Sequence, residues 1–598
     1  MGNGKSGGRI KCGKNDFTSG MDTDIIEERK GGALTVRTVG IRHQNFEKVR
    51  MRNIFYVDKT KFIKEWWESE DEVTLITRPR RFGKTLNMSM LENFFSVEYA
   101  GRAELFEGLA IWDEEIYREL QGTWPVLFVS FAGVKETSFP KAKQSICRMI
   151  GELYRKYDFL LKGDLLTETE RELYQNVSMY MDEVTAASSL QTLGGYLYRY
   201  YGKKVIILLD EYDTPMQEAY VHGYWEEIVG FIRTMFNVTF KTNPYLERAV
   251  MTGITRVSKE SIFSDLNHLE VVTTTSDKYE GAFGFTEQEV FAALAEYGLS
   301  EQQQLVKSWY DGFIFGQVSD IYNPWSIINY LDKRKLDTYW ANTSSNSLAG
   351  KLIREGSPDI KMKFEELLRG GVLEAVIDEQ IVFSQLSAQK NAVWSLLLAS
   401  GYLKTVEYRF DEPSGQGIYR LSLTNKEVRI MFENMIRDWF YDGGDSYSCF
   451  IRAFLMGDLD AMNEYMNRVA MSTFSYFDTG KQPSGEEPER FYHGFVLGLM
   501  VELAGRYTIL SNRESGFGRY DVMLEPLRAE DDAYILEFKV YSPRRESSLE
   551  ETVENALLQI EKKQYEAALK AKGIEDGRIR KYGFAFRGKE VLIGQAQT

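Results

Sequence analysis

The sequence predicts a multidomain α/β protein with a parallel sheet in its first half, a mostly helical middle region and a second α/β domain at its end. Three stretches carry this prediction. Residues 73–77 and 205–209 are almost continuously apolar, and the first of them runs into a segment compatible with a helix. Such strands are typical of parallel sheets that helices bury on both faces. Residues 534–539 form a further β-prone strand, which ends in Glu-Phe-Lys.

Length and composition set the frame for this prediction. A chain of 598 residues exceeds what one hydrophobic core usually supports, so we expect three or four domains. Hydrophobic residues make up 43% of the chain, which excludes an intrinsically disordered protein. Cys12, Cys147 and Cys449 are far apart, which argues against a zinc site and for a reducing compartment. Because no apolar run reaches the roughly 18 residues of a membrane span, we expect a cytoplasmic protein without membrane association.

Changes in composition along the chain predict four segments. We expect a flexible, glycine-rich tail without a catalytic role at 1–36, a first α/β domain at 37–275, a helical region at 276–440 and a second α/β domain at 441–598. Amphipathic periodicity predicts helices in the third segment, at 287–297, 301–309, 325–331 and 392–403, with a short strand at 419–423.

A candidate phosphate-binding loop follows the first apolar strand, with the sequence Arg-Pro-Arg-Arg-Phe-Gly-Lys-Thr. In such loops, backbone N–H groups and a helix N-terminus surround the phosphates, the lysine reaches the β- and γ-phosphates, and the threonine hydroxyl binds Mg²⁺. An arginine stands at the usual first glycine, so the motif is incomplete when taken alone. The nucleotide contacts predicted from this loop are Arg78, Pro79, Arg80, Arg81, Phe82, Gly83, Lys84 and Thr85.

Two acidic residues end the second apolar strand. In ATP-hydrolysing proteins with this arrangement, the first acid holds the Mg²⁺ shell and the second orients and deprotonates the attacking water. We assign these roles to Asp210 and Glu211; the alternative is a core strand followed by an acidic loop, and Lys84 and Thr85 upstream favour the catalytic interpretation. The next apolar strand, at 249–255, offers three candidates for contact with a γ-phosphate: Thr252, Thr255 and Arg256.

Two acids and a lysine are expected to converge near the end of the chain. Glu537 and Lys539 share one face of their strand because side chains alternate, and Asp521 leaves a neighbouring strand. Two close carboxylates repel unless a hard cation lies between them, and Mg²⁺ prefers one or two carboxylates together with phosphate oxygens and water. Lys539 would then orient the attacking water and offset charge on the phosphate. For Glu537-Phe-Lys539 alone, a surface ion pair is the alternative.

Seven motifs, in order along the chain, resemble the AAA-ATPase-like family of P-loop proteins. They are Tyr56-Val-Asp-Lys-Thr60, Arg78-Pro-Arg-Arg-Phe-Gly-Lys-Thr85, Leu209-Asp-Glu-Tyr-Asp-Thr-Pro215, Thr252-Gly-Ile-Thr-Arg256, Phe283-Gly-Phe285, Trp309-Tyr-Asp-Gly312 and Tyr322-Asn-Pro-Trp325. The resemblance implies an ASCE-type core akin to AAA+ and STAND ATPases, with ATP and Mg²⁺ as ligands, and it makes Arg78 a family feature. The middle region resembles the lid and winged-helix segments of STAND-like ATPases.

The end of the chain resembles the PD-(D/E)XK nuclease superfamily, which has a restriction-endonuclease-like fold. The matching stretches are Phe491-Tyr-His-Gly-Phe495, Ser511 to Asp521, Glu537-Phe-Lys539, Ala556-Leu-Leu-Gln-Ile560 and Tyr582-Gly-Phe-Ala-Phe586. In that superfamily the first acid and the Glu-x-Lys pair are catalytic, which implies catalytic roles for Asp521, Glu537 and Lys539, with Mg²⁺ on the two acids. Glu489 is a further candidate acid, with a solvated helix residue as its alternative, and Gln559 is a candidate accessory residue.

The net charge limits the kind of nucleic-acid binding that we expect. A formal charge of −15 does not suit a protein that permanently coats nucleic acid, but residues 501–598 carry 16 basic against 17 acidic residues. Nine basic residues there are candidates for a DNA-facing surface, although a solvated surface of mixed charge explains each of them equally well: Arg544, Arg545, Lys562, Lys563, Arg578, Arg580, Lys581, Arg587 and Lys589. We expect weak, salt-sensitive affinity for DNA.

Two functions remain compatible with the sequence. In the first, ATP binding controls a Mg²⁺-dependent DNA endonuclease. In the second, the chain is a nucleotide-switched interaction protein whose nuclease-like fold binds DNA or a partner without cleavage. The intact acid pair and lysine favour the first. A homo-oligomer is compatible with both, since AAA-type sites often borrow an arginine from a neighbouring subunit.

Overall fold

A computed structural model describes most of the chain. The described residues are 37–255, 262–263, 266–340, 347–354, 358–368, 370–378, 392–413, 415–439, 446–473, 496, 500, 503, 505–515 and 518–596. Four features of the sequence analysis fall outside them: the tail at 1–36, the γ-phosphate contact Arg256, the accessory acid Glu489 and the stretch at 491–495.

The first sheet has five parallel strands, in the order β2-β3-β4-β1-β5. Its strands are β1 (Val73–Thr77), β2 (Val126–Ser130), β3 (Val205–Asp210), β4 (Leu246–Gly253) and β5 (Leu269–Val272). Every residue of β1 and β3 is buried, as their continuous apolar sequences predict. Since all five strands run in one direction, their carboxyl ends meet at one edge, where the phosphate loop and the acidic pair follow.

Helices cover both faces of this sheet. They are α1 (Phe46–Met51), α2 (Lys61–Glu68), α3 (Lys84–Phe95), α4 (Glu115–Leu120), α5 (Phe139–Lys156), α6 (Glu168–Asn176), α7 (Glu183–Tyr201), α8 (Thr214–His222) and α9 (Trp225–Phe236). Alternate residues of β3 enter two different hydrophobic cores, which places one core on each side of the sheet. Gly83 precedes α3 with φ of +84°, a conformation that glycine adopts without steric cost. The chain can therefore turn sharply from the loop into the helix.

The middle region combines helices with two small antiparallel sheets. One sheet has the order β6-β8-β7, with β6 (Phe285–Thr286), β7 (Asp311–Phe315) and β8 (Val318–Tyr322); the other has the order β10-β11-β9, with β9 (Leu373–Val376), β10 (Leu403–Asp411) and β11 (Gln416–Leu423). The helices are α10 (Glu287–Glu296), α11 (Gln303–Tyr310), α12 (Pro324–Lys333), α13 (Ser347–Arg354), α14 (Pro358–Leu368), α15 (Ala392–Ala399) and α16 (Lys426–Trp439). Helices lie at the four predicted positions and a strand covers 419–423, but the helix predicted at 392–403 ends at Ala399, and Leu403 already begins β10. The β6-β8-β7 sheet was not predicted, because its strands are short.

The end of the chain forms a second five-stranded sheet, which is mixed and in which neighbouring strands follow one another in sequence. It contains β12 (Tyr507–Ser515), β13 (Gly518–Pro526), β14 (Ala533–Val540), β15 (Ile579–Arg587) and β16 (Glu590–Gln595), with β14 and β15 parallel and the other pairs antiparallel. The helices are α17 (Ser446–Met456), α18 (Leu459–Thr473), α19 (Leu549–Lys563) and α20 (Ala567–Lys570). The predicted fold class is confirmed. Across the described residues, no helix has both the length and the apolar character needed to span a bilayer.

The alternation of β14 decides which side chains meet α19. Tyr534, Leu536 and Phe538 enter the core that contains α17 and α18. Ile535 points to the opposite face, where it packs in a cluster with Ile560 of α19. Residues 537 and 539 have the parity of Ile535, so the polar end of β14 faces α19.

Candidate active sites

The first site centres on Lys84, the first residue of α3. Its ammonium group donates hydrogen bonds to two carbonyl oxygens of its own loop, Arg78 O at 2.9 Å and Pro79 O at 3.0 Å. Burial lowers the pKa of Lys84, and the nearby carboxylates, above all Glu211, oppose that shift. The cation thus lies inside the loop, where a polyanion at the helix N-terminus would be attracted to it.

Asp210 connects three elements at the carboxyl edge of the sheet. Its Oδ2 accepts from the hydroxyl of Thr85 at 2.9 Å and from that of Ser130 at 3.4 Å, and its Oδ1 accepts from the hydroxyl of Thr252 at 2.6 Å. Burial raises the pKa of Asp210, and the hydrogen bonds from Thr252 and Thr85 partly offset this shift. The two residues predicted to hold Mg²⁺ here, Thr85 and Asp210, therefore lie in direct contact.

Glu211 has an unusual backbone conformation, with φ of +50°. Its N–H donates to the hydroxyl of Thr252 at 3.3 Å, and its Oε2 accepts from the hydroxyl of Thr214 at 3.3 Å. A non-glycine residue in the left-handed region costs about 1 kcal/mol or more, and such residues cluster at functional sites. The turn points the carboxylate of Glu211 into the cavity described below.

The hydroxyl of Thr255 lies elsewhere, because Asp213 binds it. Oδ2 of Asp213 accepts from Ile254 N, Thr255 N and Thr255 Oγ1, each at 3.0 Å. Asp213 is fully buried and fixes the end of β4. Of the threonines proposed to contact a γ-phosphate, Thr252 contacts Asp210 and Thr255 supports Asp213.

A cavity of about 370 Å³ opens beside the loop. This volume lies within the roughly 300–1,000 Å³ of small-molecule sites. Its polar lining includes Arg42, His43, Gln44, Lys59, Arg80, Arg81, Lys84, Thr85, Lys135, Glu211 and Glu218, and its apolar lining includes Phe55, Val57, Phe82, Phe285, Trp325 and Ile328. The segment before α1, the loop, the end of β3 and the first turn of α12 all contribute. Arg42, His43 and Gln44, in the segment before α1, are lining residues that lie outside every motif of the sequence analysis.

Arg78 occupies a different place from the one predicted. Its guanidinium is fully buried, donates to Thr273 O at 2.6 Å and Thr77 O at 2.9 Å, and lies 4.8 Å from the ring centre of Phe315. Burial lowers its pKa to about 9. The side chain ties β1 to the segment after β5, while the cavity is lined by the loop from Arg80 to Thr85. Pro79 likewise packs against the middle region, close to Gly401.

The middle region holds the loop directly. Arg80 O accepts from Asn323 Nδ2 at 3.2 Å and from Trp340 Nε1 at 3.0 Å, and the guanidinium of Arg81 lies 4.6 Å from the ring centre of Trp325. Sequence reasoning assigned no site role to these three middle-region residues. The Asn-Pro-Trp stretch was the available signal for two of them.

The second site lies where β13 and β14 pair. Asp521 of β13 accepts a hydrogen bond at Oδ2 from the backbone N–H of Phe538 in β14, at 2.8 Å. Burial raises the pKa of Asp521, while this N–H and the nearby Lys539 lower it. The bond fixes the carboxylate across the strand pair, beside the Glu-x-Lys segment.

Glu537 is the centre of this second site. The carboxylate is almost fully buried, its Oε1 accepts a hydrogen bond from Nε2 of Gln559, and the same oxygen lies 3.5 Å from Nζ of Lys539. Nε2 of Gln559 is also 3.1 Å from the hydroxyl of the buried Tyr565. Asp521, Glu537, Lys539 and Gln559 are thus brought together.

The donor groups at both sites suit a hard divalent cation. At the second site two carboxylates, Asp521 and Glu537, face one lysine, so added positive charge would offset the cost of their burial. Over the described ranges, no group of three or more His, Cys, Asp or Glu could hold a metal ion. Carboxylate and hydroxyl oxygens are ligands that hard divalent cations take. Thr85 and Asp210 form an equally sparse oxygen set at the first site.

Comparisons with known proteins identify the domain that contains each site. Residues 38–263 match the family model described as a predicted AAA-ATPase, and residues 487–596 match that of the PD-(D/E)XK nuclease superfamily. A relative from Azotobacter chroococcum mcd 1, described as an uncharacterized protein in the vnfD 5' region, is 27% identical over 388 residues, covering 64% of this chain and 67% of the relative. The chain therefore carries an AAA-ATPase-like domain at 38–263 and a PD-(D/E)XK nuclease superfamily domain at 487–596.

Proposed function

We propose that the chain binds and hydrolyses ATP at the Lys84 site and that nucleotide state controls a Mg²⁺-dependent DNA endonuclease at the Glu537 site. The observation that carries this proposal is the convergence of Asp521, Lys539 and Gln559 around the buried carboxylate of Glu537. A fold kept only for binding has no need to hold all four groups together.

Each residue of the second site has a distinct role in this proposal. Asp521 and Glu537 hold the cation, which when bound supplies Lewis acidity at the scissile phosphate. Gln559 orients Glu537 by donating to its Oε1. Lys539, whose ammonium is only partly buried, orients the attacking water and offsets the charge that develops on the phosphate.

Binding of ATP requires Lys84 to exchange partners. Its two loop carbonyls hold it inside the loop, and phosphate oxygens at the N-terminus of α3 would replace them. Thr85 and Asp210 would hold Mg²⁺, and Glu211 would orient and deprotonate the attacking water from its left-handed turn.

DNA would approach across the loop that follows β14. Arg544 and Arg545 are exposed there, a few residues after Lys539. Contacts from such side chains reach phosphates without reading sequence, so affinity should fall as salt rises.

Plasmid nicking with Mg²⁺, with and without ATP, tests the nuclease half. We expect the wild type to nick and Lys539→Ala to lose about 100-fold or more in rate, since it removes charge stabilisation at the phosphate. Lys570→Ala, which removes an exposed ion pair with Asp576 in the same domain, is the matched control and should nick like the wild type. Equal nicking by Lys539→Ala and wild type would refute the nuclease. DNA binding without nicking by either protein would favour the nucleotide-switched binding protein instead.

The ATPase half has its own pair of variants. Lys84→Ala should abolish nucleotide binding at micromolar concentrations, and Glu211→Gln should retain binding but lose most hydrolysis. If Glu211→Gln hydrolyses ATP at the wild-type rate, another residue is the base. Control of cleavage by nucleotide requires that Lys84→Ala remove the effect of ATP on nicking.

A further inference from the structure

The start of α12 contacts two successive residues of the phosphate loop, Arg80 and Arg81. Asn323, which caps the helix by accepting from Trp325 N at 2.9 Å, donates its side-chain amide to Arg80 O. Trp325, two residues on, faces the guanidinium of Arg81. Because no other element lies between them, a movement of the loop at either arginine would act directly on the start of α12.

Arg81 has the geometry of a ligand-contacting residue rather than a packing residue. Its φ is +66°, a backbone conformation that few residues other than glycine adopt and that is found at ligand-binding sites. It lines the cavity together with Lys84 and Glu211, and the charge of Glu211 acts on it. Burial lowers the pKa of Arg81, and the guanidiniums of Arg42 and Arg80 lower it further. An anion in the cavity would relieve this crowding of positive charge.

We propose that Arg81 contacts the γ-phosphate of the bound nucleotide from within its own chain, and that Trp325 is its positioning residue and carries the contact to α12. This inference rests on the proposed ATP binding. A guanidinium can stack by its face on an indole ring while its N–H groups donate in its own plane to phosphate oxygens. Trp325 therefore holds the plane of Arg81 without consuming its donors. The nucleoside triphosphate, and not the diphosphate, would therefore complete the link between the loop and α12.

Arg42 provides a matched comparison within the same cavity. It also has a left-handed backbone, with φ of +70°, and its guanidinium lies 6.0 Å from the ring centre of Trp325. It belongs to the segment before α1, however, and not to the phosphate loop. Replacement of Arg42 should therefore change the affinities for triphosphate and diphosphate by the same factor.

The test compares affinities for a non-hydrolysable ATP analogue and for ADP, measured on the full chain with Mg²⁺ by displacement of a fluorescent nucleotide. Arg81→Gly removes the guanidinium and keeps a residue that tolerates positive φ. We expect it to weaken analogue binding about 10- to 100-fold and ADP binding less than about twofold, since a charge-assisted hydrogen bond to one phosphate is lost. Arg42→Gly is the control. Arg81→Lys should recover part of the loss, because it keeps the charge but not the planar group.

Two results would overturn the inference alone: equal weakening of both nucleotides by Arg81→Gly, or the same change in affinity ratio for Arg42→Gly. A wild type that binds neither nucleotide would instead refute the proposed ATP site and the inference with it. Trp325→Leu gives a second, independent measurement. It should reduce the preference for the triphosphate about tenfold or less, whereas Trp325→Phe, which keeps an aromatic face, should retain most of it. An unchanged preference in Trp325→Leu would contradict the positioning role.

Discussion

The two sites of this protein are assembled in different ways. The Glu537 site draws on successive elements, β13, β14 and α19, all between Asp521 and Tyr565. The Lys84 site draws on segments as far apart as Gly40 and Trp340. At the Glu537 site, Lys539 and Gln559 already face the central carboxylate. At the Lys84 site, the central lysine faces the carbonyls of its own loop.

This difference separates a preorganised site from one that must rearrange. Polar groups fixed before the substrate arrives need no reorganisation when charge develops, which suits bond cleavage. Lys84 must leave two loop carbonyls before it can bind phosphate. Nucleotide affinity therefore depends on the residues that fix the conformation of the loop. Since the middle region holds that loop at Arg80 and Arg81, nucleotide affinity should respond to residues far from the phosphates. Cleavage measured without nucleotide should respond only to residues near Glu537.

The largest expected effect concerns Glu537→Gln, which keeps the shape of the residue and removes its charge. We expect plasmid cleavage to fall about 100- to 1,000-fold, because metal binding and the orientation of Lys539 are lost together. Thermal stability should be unchanged or higher, since an ionised group no longer has to be buried. Glu525→Gln, in the neighbouring strand and paired with the exposed Lys572, is the control. Cleavage within twofold of wild type would show that this site is not a preorganised catalytic centre.

A second, smaller effect is expected for Trp340→Phe. It removes one of the two donors to Arg80 O, and a hydrogen bond is worth about 1 kcal/mol, so nucleotide affinity should fall about fivefold. DNA cleavage without nucleotide should not change. Trp309→Phe, in the same region but packed on Lys426, serves as the control. Unchanged nucleotide affinity in Trp340→Phe would mean that the loop does not depend on the middle region.

The same difference explains which site residues could be predicted from the sequence. Strand alternation was sufficient to bring Glu537 and Lys539 together, whereas their partner Gln559 was a candidate only through the resemblance to the nuclease superfamily. No local pattern links Trp340 to Arg80, which is 260 residues away. The buried position of the Arg78 side chain was also beyond reach, because a motif gives residue order but not the direction in which each side chain leaves a loop.

Tyr565→Phe should have a smaller effect on cleavage than Glu537→Gln. The hydroxyl of Tyr565 lies 3.1 Å from Nε2 of Gln559, which in turn faces Glu537. Its loss frees Gln559 to rotate, and we expect cleavage to slow about two- to fivefold with DNA affinity unchanged. Gln559→Leu should slow cleavage more, and the double variant should match Gln559→Leu alone, because the hydroxyl acts through the amide. Additive losses would contradict that order of contacts.

The smallest expected effect is a pH-dependent change in the stability of the region that contains the phosphate loop. Asp311, in the strand whose Phe313 and Phe315 pack on Phe82 of the loop, has its pKa raised to about 6 by burial and by a hydrogen bond with Asp320. Lys307 and Lys404 oppose the shift of Asp311. The pKa of Asp320 is lowered, first by the hydroxyl of Ser319.

The sign follows from proton binding in the folded and unfolded states. Because the folded pKa of Asp311 lies above its ordinary value, the folded state holds more protons between about pH 4 and 6, and the free energy of unfolding falls as pH rises through that window. Asp320 contributes to the free energy of unfolding with the opposite sign. Its contribution is lost only at lower pH, as the pH falls through its depressed pKa. Asp311→Asn, which imitates the protonated acid, should therefore raise the melting temperature of the loop-containing region by on the order of 1–2 °C at pH 7 and leave it unchanged at pH 4. Melting in the presence of nucleotide identifies that region, since only its transition shifts with ligand. A difference between variant and wild type that persists undiminished at pH 4 would mean that Asp311 acts by packing and not by its charge.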